Sequence, residues 1–259
     1  MYVRAMVMPE QIGQTVALGE LAVSRLGLDA ALAVCEDRVA RGAGGSACFV
    51  NVHMLTDASR DPVLREALHA ASFLFADGLP LLWLARAKRT PIATRVCGPD
   101  FMDAMLRRQG GRVHGLIGAS PEVTGAVAAR YGIQAIAHSP PMRPFSESHA
   151  HDDWQAFVAR CPDRRPPRLV WVGLGAPKQE RWMAAVSRAA PDVMFFGVGA
   201  AFDFLAEHKP RAPRMLQRLG LEWTHRLASE PGRLWKRYLL GNARFVVLVA
   251  QELIALRRS

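Results

Sequence analysis

The chain has 259 residues, half of them hydrophobic, and ordinary amounts of glycine, proline and aromatic residues, which excludes a disordered or fibrous protein. This length suits one large domain, or one domain with a small appendage. The formal net charge of +10 indicates a polyanionic partner, which nucleic acid, anionic lipid or a phosphorylated substrate would each satisfy.

The cysteines and the hydrophobic runs bear on the cellular compartment. No two of the four cysteines have the spacing of metal ligands, and nothing in their pattern predicts a disulfide framework, so we expect a reducing environment. The first residues lack the apolar centre of a signal peptide, and no run reaches the roughly 18 apolar residues of a membrane-spanning helix. We therefore expect a cytoplasmic protein.

Hydrophobic periodicity predicts alternating helices and strands from residue 28 onward, whereas residues 1–26 predict only a short strand and a connector. The predicted strands are residues 47–52, 72–76, 112–117, 133–138, 168–173 and 193–198. The predicted helices are residues 28–39, 62–70, 79–87, 99–108, 121–131, 152–160 and 177–188. This alternation predicts an α/β fold: a Rossmann-like, mostly parallel sheet with flanking helices.

The character of the chain changes after about residue 204. Residues 205–259 predict helices only, and their eleven basic and four acidic residues give this segment a net charge of +7. Leucines and tryptophans share helices with arginines, a pattern typical of helices at a membrane surface, although an ordinary helical subdomain with a basic face has it too. We predict a Rossmann-like catalytic domain over residues 1–204 and a basic, membrane-associating helical appendage over residues 205–259.

Ligands of open α/β sheets bind beyond the carboxyl ends of the strands, so residues that follow predicted strands are the candidate site residues. Asn51 ends the first clear strand, where it could contact a sugar hydroxyl. Asp77 follows the second, where it could act as general base on a hydroxyl or cap the next helix. Asp203 follows the last strand and could accept hydrogen bonds from a nucleotide, or form a cap or a salt bridge with the RAP segment at 211–213.

The segment GLGAPKQE, residues 173–180, joins a predicted strand to a predicted helix. Gly175 permits close approach of the backbone, and Lys178 and Gln179 lie in the first helical turn, where free N–H groups favour anions such as a nucleotide diphosphate. The segment has neither the third glycine of a Rossmann fingerprint nor the GK[ST] ending of a P-loop. A tight strand–helix turn with a solvated lysine and glutamine explains the spacing equally well.

Two further features concern the charge that develops when a diphosphate leaves. Arg95, in the loop RVCGPDF, could face such a group, with a surface salt bridge as the alternative. The sequence has no Asp-x-Asp pair of the kind that holds Mg²⁺ on a nucleotide-sugar diphosphate, so we expect no metal and no other cofactor. Cationic side chains or helix N-termini would then stabilise the leaving group.

Six segments occur in the order typical of the WecG/TagA/CpsF glycosyltransferases, glycosyltransferase family 26. They are FADG at 75–78, RVCGPDF at 95–101, GLGAPKQE at 173–180, FFGVGAAFDF at 195–204, KPRAP at 209–213 and GLEWTHRLASEPGRLWKR at 220–237. The chain therefore resembles this family from about residue 50 to residue 237, and PKQE together with EW..RL..EP.R is specific to it.

The resemblance implies an inverting, metal-independent enzyme of cell-surface polysaccharide synthesis. Such an enzyme moves a hexose or N-acetylhexosamine-type sugar from a UDP-sugar to an undecaprenyl-diphosphate-linked sugar. The resemblance also implies a peripheral location on the cytoplasmic face of the inner membrane, against an anionic membrane surface. A homo-oligomer is left open, and no nucleic acid partner is expected.

Position by position, the resemblance implies Asp77 as the catalytic base. Arg95 and Gln179 would be catalytic contacts to the diphosphate or the acceptor, and Asp203 would contact the nucleotide. The tail would close the site at the membrane with four arginines: Arg211, Arg214, Arg226 and Arg233.

Two positions depart from the family pattern: Phe49, two residues before Asn51, and EHKPRAP in place of a GRxxRAP segment. Glucose and N-acetylmannosamine therefore both stay open as the donor sugar. Two other classes also fit the basic tail, a nucleic-acid-binding protein and a non-catalytic membrane-docking protein. The first of these would lack any recognisable nucleic-acid module.

Overall fold

The structure is a computed structural model that describes residues 14–218, 222–229 and 231–258. The strands in chain order are β1 (Thr15–Leu18), β2 (Leu21–Ser24), β3 (Gly45–Val50), β4 (Phe73–Ala76), β5 (Val113–Ile117), β6 (Gln134–His138), β7 (Leu169–Val172) and β8 (Met194–Gly197). The helices in chain order are α1 (Leu28–Ala40), α2 (Val52–Ala58), α3 (Pro62–His69), α4 (Leu79–Ala87), α5 (Gly98–Arg108), α6 (Pro121–Tyr131), α7 (Glu147–Val158), α8 (Lys178–Ser187), α9 (Ala201–Leu205), α10 (Arg214–Arg218), α11 (Glu222–Ser229) and α12 (Pro231–Arg258).

Six strands form the central sheet in the order β4-β3-β8-β7-β5-β6, and every neighbouring pair is parallel. β1 and β2 form a separate antiparallel hairpin. Parallel strands need crossover connections, which the intervening helices supply. The predicted Rossmann-like α/β fold is therefore confirmed, with flanking helices and a helical C-terminal segment.

Helices cover both faces of the sheet, and each face has its own hydrophobic core. Alternate residues of β3 divide between them: Cys48 and Val50 join the first core, Ala47 and Phe49 the second. The first core includes residues of α2, α3, α4, α7, α8 and the β1–β2 hairpin. The second includes residues of α1, α5, α6 and α9. Because both faces are buried, the strands are near-continuous hydrophobic runs, which made them predictable from the sequence.

Several boundaries differ from the predicted ones. β3 ends at Val50, because Asn51 caps a helix that the sequence pattern did not predict, α2: its side-chain oxygen accepts a hydrogen bond from the Met54 amide at 3.1 Å. α7 begins earlier than the predicted residue 152, because the Ser146 hydroxyl caps it by accepting from the His149 amide at 3.2 Å. The N-terminal segment contains a hairpin rather than a single short strand.

The C-terminal helix α12 returns to the α/β part of the molecule and packs along α2. Three partly buried side chains of this helix pack against the first core: Phe245, Leu248 and Val249. Near its end, Glu252 forms an ion pair with Lys88 and accepts a hydrogen bond from the Gly19 amide at 3.0 Å. Among the described residues, no helix is long and apolar enough to cross a membrane. The division into residues 1–204 and 205–259 stays a prediction.

Candidate active site

Asp77 lies directly after β4, at the carboxyl edge of the sheet. Its backbone N–H donates to the Val50 carbonyl at 2.7 Å, which continues the pairing of β3 and β4 by one residue. Its side chain is half-buried. The capping residue of α4 is Gly78, whose φ of 151° is one that side-chain-bearing residues rarely adopt. The alternative interpretation of Asp77 as the cap of that helix is therefore wrong.

The loop that follows α4 returns to the same edge of the sheet. The Val96 N–H donates to the Ala76 carbonyl at 2.9 Å, so residues 95–97 run beside the end of β4. Cys97 then caps α5. At Gly98 a Cβ would lie 3.2 Å from the Val198 carbonyl oxygen, so the absence of a side chain lets the first turn of α5 approach the end of β8 closely. Arg95 and the start of α5 thus reach the edge where Asp77 lies.

Two arginines and two carboxylates form a closed ring of ion pairs in this region; we name Arg95, Asp100, Arg211 and Glu222 the arginine–carboxylate ring. Glu222 Oε2 accepts a hydrogen bond from Arg95 Nη1 at 3.3 Å, and its Oε1 accepts one from Arg211 Nε at 3.0 Å. Asp100 Oδ2 lies 3.6 Å from Arg95 Nη2, and Asp100 Oδ1 accepts a hydrogen bond from Arg211 Nη1. The ring joins the C-terminal segment, through Arg211 and Glu222, to the α/β part of the molecule.

The charges of this region act on one another. Burial alone would lower the pKa of Arg95, but the carboxylates of Asp77, Glu222 and Asp100 outweigh burial and raise that pKa. Burial first, and then the charges of Asp77 and Asp100, raise the pKa of the Cys97 thiol well above its ordinary range. Burial opposes ionisation of Asp100, yet hydrogen bonds from an arginine of the ring and from the thiol lower its pKa. Asp77 therefore lies within electrostatic reach of the ring and of a neutral thiol.

Gln179 occupies the same edge at the end of β8. It is buried in the first turn of α8, and its Nε2 donates to the Gly197 carbonyl at 3.0 Å and to Glu180 Oε1 at 2.8 Å. Its Oε1 is buried and has no hydrogen-bond partner among the described residues. Because β3 lies between β8 and β4, the ends of β8 and β4 lie two strand spacings apart, roughly 10 Å.

Three other predicted binding residues lie along the carboxyl edge of the sheet, and each has different neighbours. Lys178 Nζ donates to the Arg143 carbonyl at 3.0 Å. Asp203 forms an ion pair with Lys209 at 3.1 Å, two residues before the RAP segment in which its salt-bridge alternative placed the partner. Gly175 has a φ of 76°, and no described atom lies within 4 Å of the position that its Cβ would take. The turn before α8 is therefore open on that side.

Of the predicted site residues, the structure brings Asp77, Arg95 and Arg211 to one region. Three further predicted contacts have side chains outside the described part of the structure: Arg214, Arg226 and Arg233. The sequence did not predict Glu222 as a site residue, although it belongs to the EW segment that carries the resemblance. Asp100 was missed because its place in the first turn of α5 explains an acidic residue without any site.

A parallel sheet with a carboxylate and two arginines at its carboxyl edge defines a Rossmann-like protein whose candidate ligand site lies at that edge. A comparison with known families gives the particular assignment. The profile described as the Glycosyl transferase WecG/TagA/CpsF family matches residues 16–259, nearly the whole chain. The chain belongs to this family and is a glycosyltransferase. The predicted family is confirmed, and the match extends beyond residues 50–237 at both ends.

Proposed function

We propose that the chain is an inverting glycosyltransferase that moves a hexose or N-acetylhexosamine-type sugar from a UDP-sugar to a polyprenyl-diphosphate-linked sugar. The observation that carries the proposal is the position of Asp77 beside Arg95 and the arginine–carboxylate ring, in a chain of this glycosyltransferase family. A base beside fixed cations is what an acceptor hydroxyl and a departing diphosphate require.

Asp77 is the general base in this proposal. Its carboxylate takes the proton of the acceptor hydroxyl while the hydroxyl oxygen attacks the anomeric carbon of the donor sugar. The bond between that carbon and the β-phosphate oxygen breaks, and its electron pair leaves with UDP. Attack from the face opposite the leaving group inverts the anomeric centre.

Arg95 and Arg211 stabilise the charge that develops on the departing diphosphate. Burial opposes the charge of Arg211, but hydrogen bonds to Asp100 and Glu222 outweigh burial and raise its pKa, so it stays protonated. Gln179, whose buried Oε1 has no partner among the described residues, is the proposed contact to the other end of the donor. Leaving-group stabilisation by cations accords with a sequence that has no Asp-x-Asp pair.

A panel of UDP-sugars, UDP-glucose and UDP-N-acetylmannosamine among them, tests the proposal with a polyprenyl-diphosphate-sugar acceptor and EDTA present. We expect UDP release that depends on both the acceptor and one class of donor and that persists in EDTA. If the folded chain releases no UDP from any donor in the presence of acceptor, the proposed reaction is excluded.

Replacing the base is the sharpest test within this assay. We expect Asp77→Asn to lower kcat by roughly 10²- to 10⁴-fold, because an amide cannot take the hydroxyl proton, while the fold and UDP binding persist. Asp29→Asn is a matched control: Asp29 pairs with Arg108 on the exposed surface of α1, and its variant should keep wild-type turnover. Near-normal turnover by folded Asp77→Asn would remove Asp77 from the role of base.

We also propose that the enzyme is a peripheral protein on the cytoplasmic face of the inner membrane, where a lipid-linked acceptor would lie. Apolar side chains exposed on the C-terminal half of α12 include Val246, Val247, Leu253 and Ile254. Their spacing places them on one face of the helix. Those basic residues of 205–259 that lie near the membrane would add attraction to anionic lipid, about 1 kcal/mol for each residue at the surface.

A further inference from the structure

Glu222 lies between the two arginines that the proposed function assigns to the donor diphosphate. Each of its carboxylate oxygens accepts a hydrogen bond from a different guanidinium group, at 3.3 Å from Arg95 and at 3.0 Å from Arg211. A diphosphate would use the same N–H groups, because guanidinium groups bind carboxylate and phosphate oxygens in the same way. In this structure an anion from the chain itself therefore occupies the proposed diphosphate site.

The charge of the described side chains opposes a diphosphate as long as Glu222 stays in place. Two arginines face three carboxylates, those of Asp77, Asp100 and Glu222, which gives the group a net charge of −1. Moving Glu222 away brings this sum to zero and frees one N–H group on each arginine. A multiply negative diphosphate could therefore approach the two arginines without net repulsion only after Glu222 has moved away.

The two carboxylates of the ring are held differently. Asp100 lies in the first turn of α5, a helix of the second core, and its Oδ2 also accepts a hydrogen bond from the Cys97 thiol at 2.9 Å. Glu222 is the first residue of α11, a helix that packs against α10 and α12 and contributes no described residue to either core. Glu222 is therefore the carboxylate that can leave while the sheet and its cores stay intact.

We propose that Glu222 is a displaceable latch, which holds Arg95 and Arg211 until the donor binds and then gives way to the diphosphate of the donor. The proposal rests on the proposed function, because it takes the two arginines as diphosphate ligands. Since Glu222 belongs to α11, its displacement couples occupation of the donor site to a movement of the C-terminal segment. Donor binding would thus prepare that segment for the lipid-linked acceptor.

UDP binding to Glu222→Gln, measured by titration calorimetry, tests the latch. The amide has the shape of the carboxylate but no charge, so it competes weakly for the arginines, and we expect UDP to bind about tenfold tighter than to the wild-type chain. Uridine lacks the diphosphate, and its affinity, measured by ligand-observed NMR, should not change. Glu207→Gln is the matched control: it removes a negative charge from the same segment, but Glu207 pairs with Arg130 at 2.8 Å, outside the ring.

Unchanged or weaker UDP binding by folded Glu222→Gln overturns the latch and makes Glu222 a fixed partner that positions the arginines. Equal tightening in Glu207→Gln also overturns it, because net charge would then explain the effect. If the glutamine variant does not fold, Glu222→Ala provides the test: it removes the carboxylate altogether, so UDP should again bind tighter. A wild-type chain that binds no UDP would instead contradict the proposed function. The experiment therefore distinguishes failure of the latch from failure of the proposed function.

Discussion

At the scale of the residue, His114 of β5 is wholly buried and has a partner for each ring nitrogen. Its Nδ1 accepts a hydrogen bond from Trp171 Nε1 at 3.2 Å, so we assign the proton to Nε2, which donates to the Gln109 carbonyl at 3.1 Å. Burial lowers the pKa of His114, and the charge of Arg112 adds to that effect against the opposing hydrogen bond to Gln109. The folded chain therefore keeps this histidine neutral at a pH where the unfolded chain protonates it.

This histidine predicts a dependence of stability on pH. Above about pH 6.5 His114 is neutral in both the folded and the unfolded chain, so it does not change the free energy of unfolding. Below that pH the unfolded chain binds a proton at His114 that the folded chain does not bind. From there down to the lowered pKa, His114 should reduce the free energy of unfolding by up to about 1.4 kcal/mol for each pH unit. Urea unfolding at about pH 8 and about pH 5.5 measures the loss, which should be smaller in His114→Asn than in the wild-type chain.

The comparison has a built-in control. Burial also lowers the pKa of His138, but that residue is present in both proteins and contributes equally to each loss. Equal losses in wild type and His114→Asn would show that His114 does not cause the pH dependence.

At the scale of the element, α12 can lie close to α2 because one of its residues has no side chain. A Cβ on Gly241 would lie 2.1 Å from Nδ1 of His53, which is buried in α2. α2 in turn follows the strand end at which Asn51 forms its cap. The contact between these two helices therefore ties the C-terminal segment to the edge of the sheet that carries the candidate site.

We expect Gly241→Ala to lower the free energy of unfolding by about 1–3 kcal/mol, because the methyl group forces α12 and α2 apart. The effect should appear although alanine favours helix formation over glycine. Gly232→Ala is the control within the same helix: no described atom lies within 4 Å of its Cβ position, so stability should be unchanged or rise by up to about 1 kcal/mol. Equal urea midpoints for the two variants would contradict the close contact.

At the scale of the whole molecule, charge and exposed apolar surface are concentrated in the C-terminal segment. Residues 205–259 carry +7 of the net charge of +10. The exposed face of α12 belongs to the same segment, on a helix that also packs Phe245, Leu248 and Val249 against the first core. One part of the molecule thus combines the two features that bind proteins to anionic lipid surfaces.

We expect the chain to sediment with anionic phosphatidylglycerol vesicles but not with phosphatidylcholine vesicles, and to dissociate as salt screens the attraction. Val247→Asp should weaken vesicle binding, because it places a negative charge on the exposed face of α12. Val63→Asp is the matched control, since Val63 is 53% exposed on α3 and Val247 is 57% exposed. Salt-sensitive binding to DNA with no binding to anionic vesicles would contradict this expectation and favour a nucleic-acid partner.

Most of the sheet could be predicted from the sequence, because fully buried parallel strands are short hydrophobic runs and the helices between them repeat every three to four residues. α2 could not, since its seven residues follow a hydrophobic strand directly and are too few to show a period. The same reason explains both outcomes. Burial produces a recognisable hydrophobic pattern only where it extends over a whole strand or over at least two turns of a helix.

The sequence by itself determined the order of the strands along the chain, the family, and Asp77 and Arg95 as candidate groups, because strand ends and motifs are local features. Only the tertiary structure decided which residues those groups contact. Arg95 pairs with Glu222, 127 positions away, and Arg211 pairs with Asp100, 111 positions away. Such pairs depend on how a segment late in the chain packs beside the end of a strand that comes early in the chain. The free energy of that packing is distributed over contacts that no single segment of sequence contains.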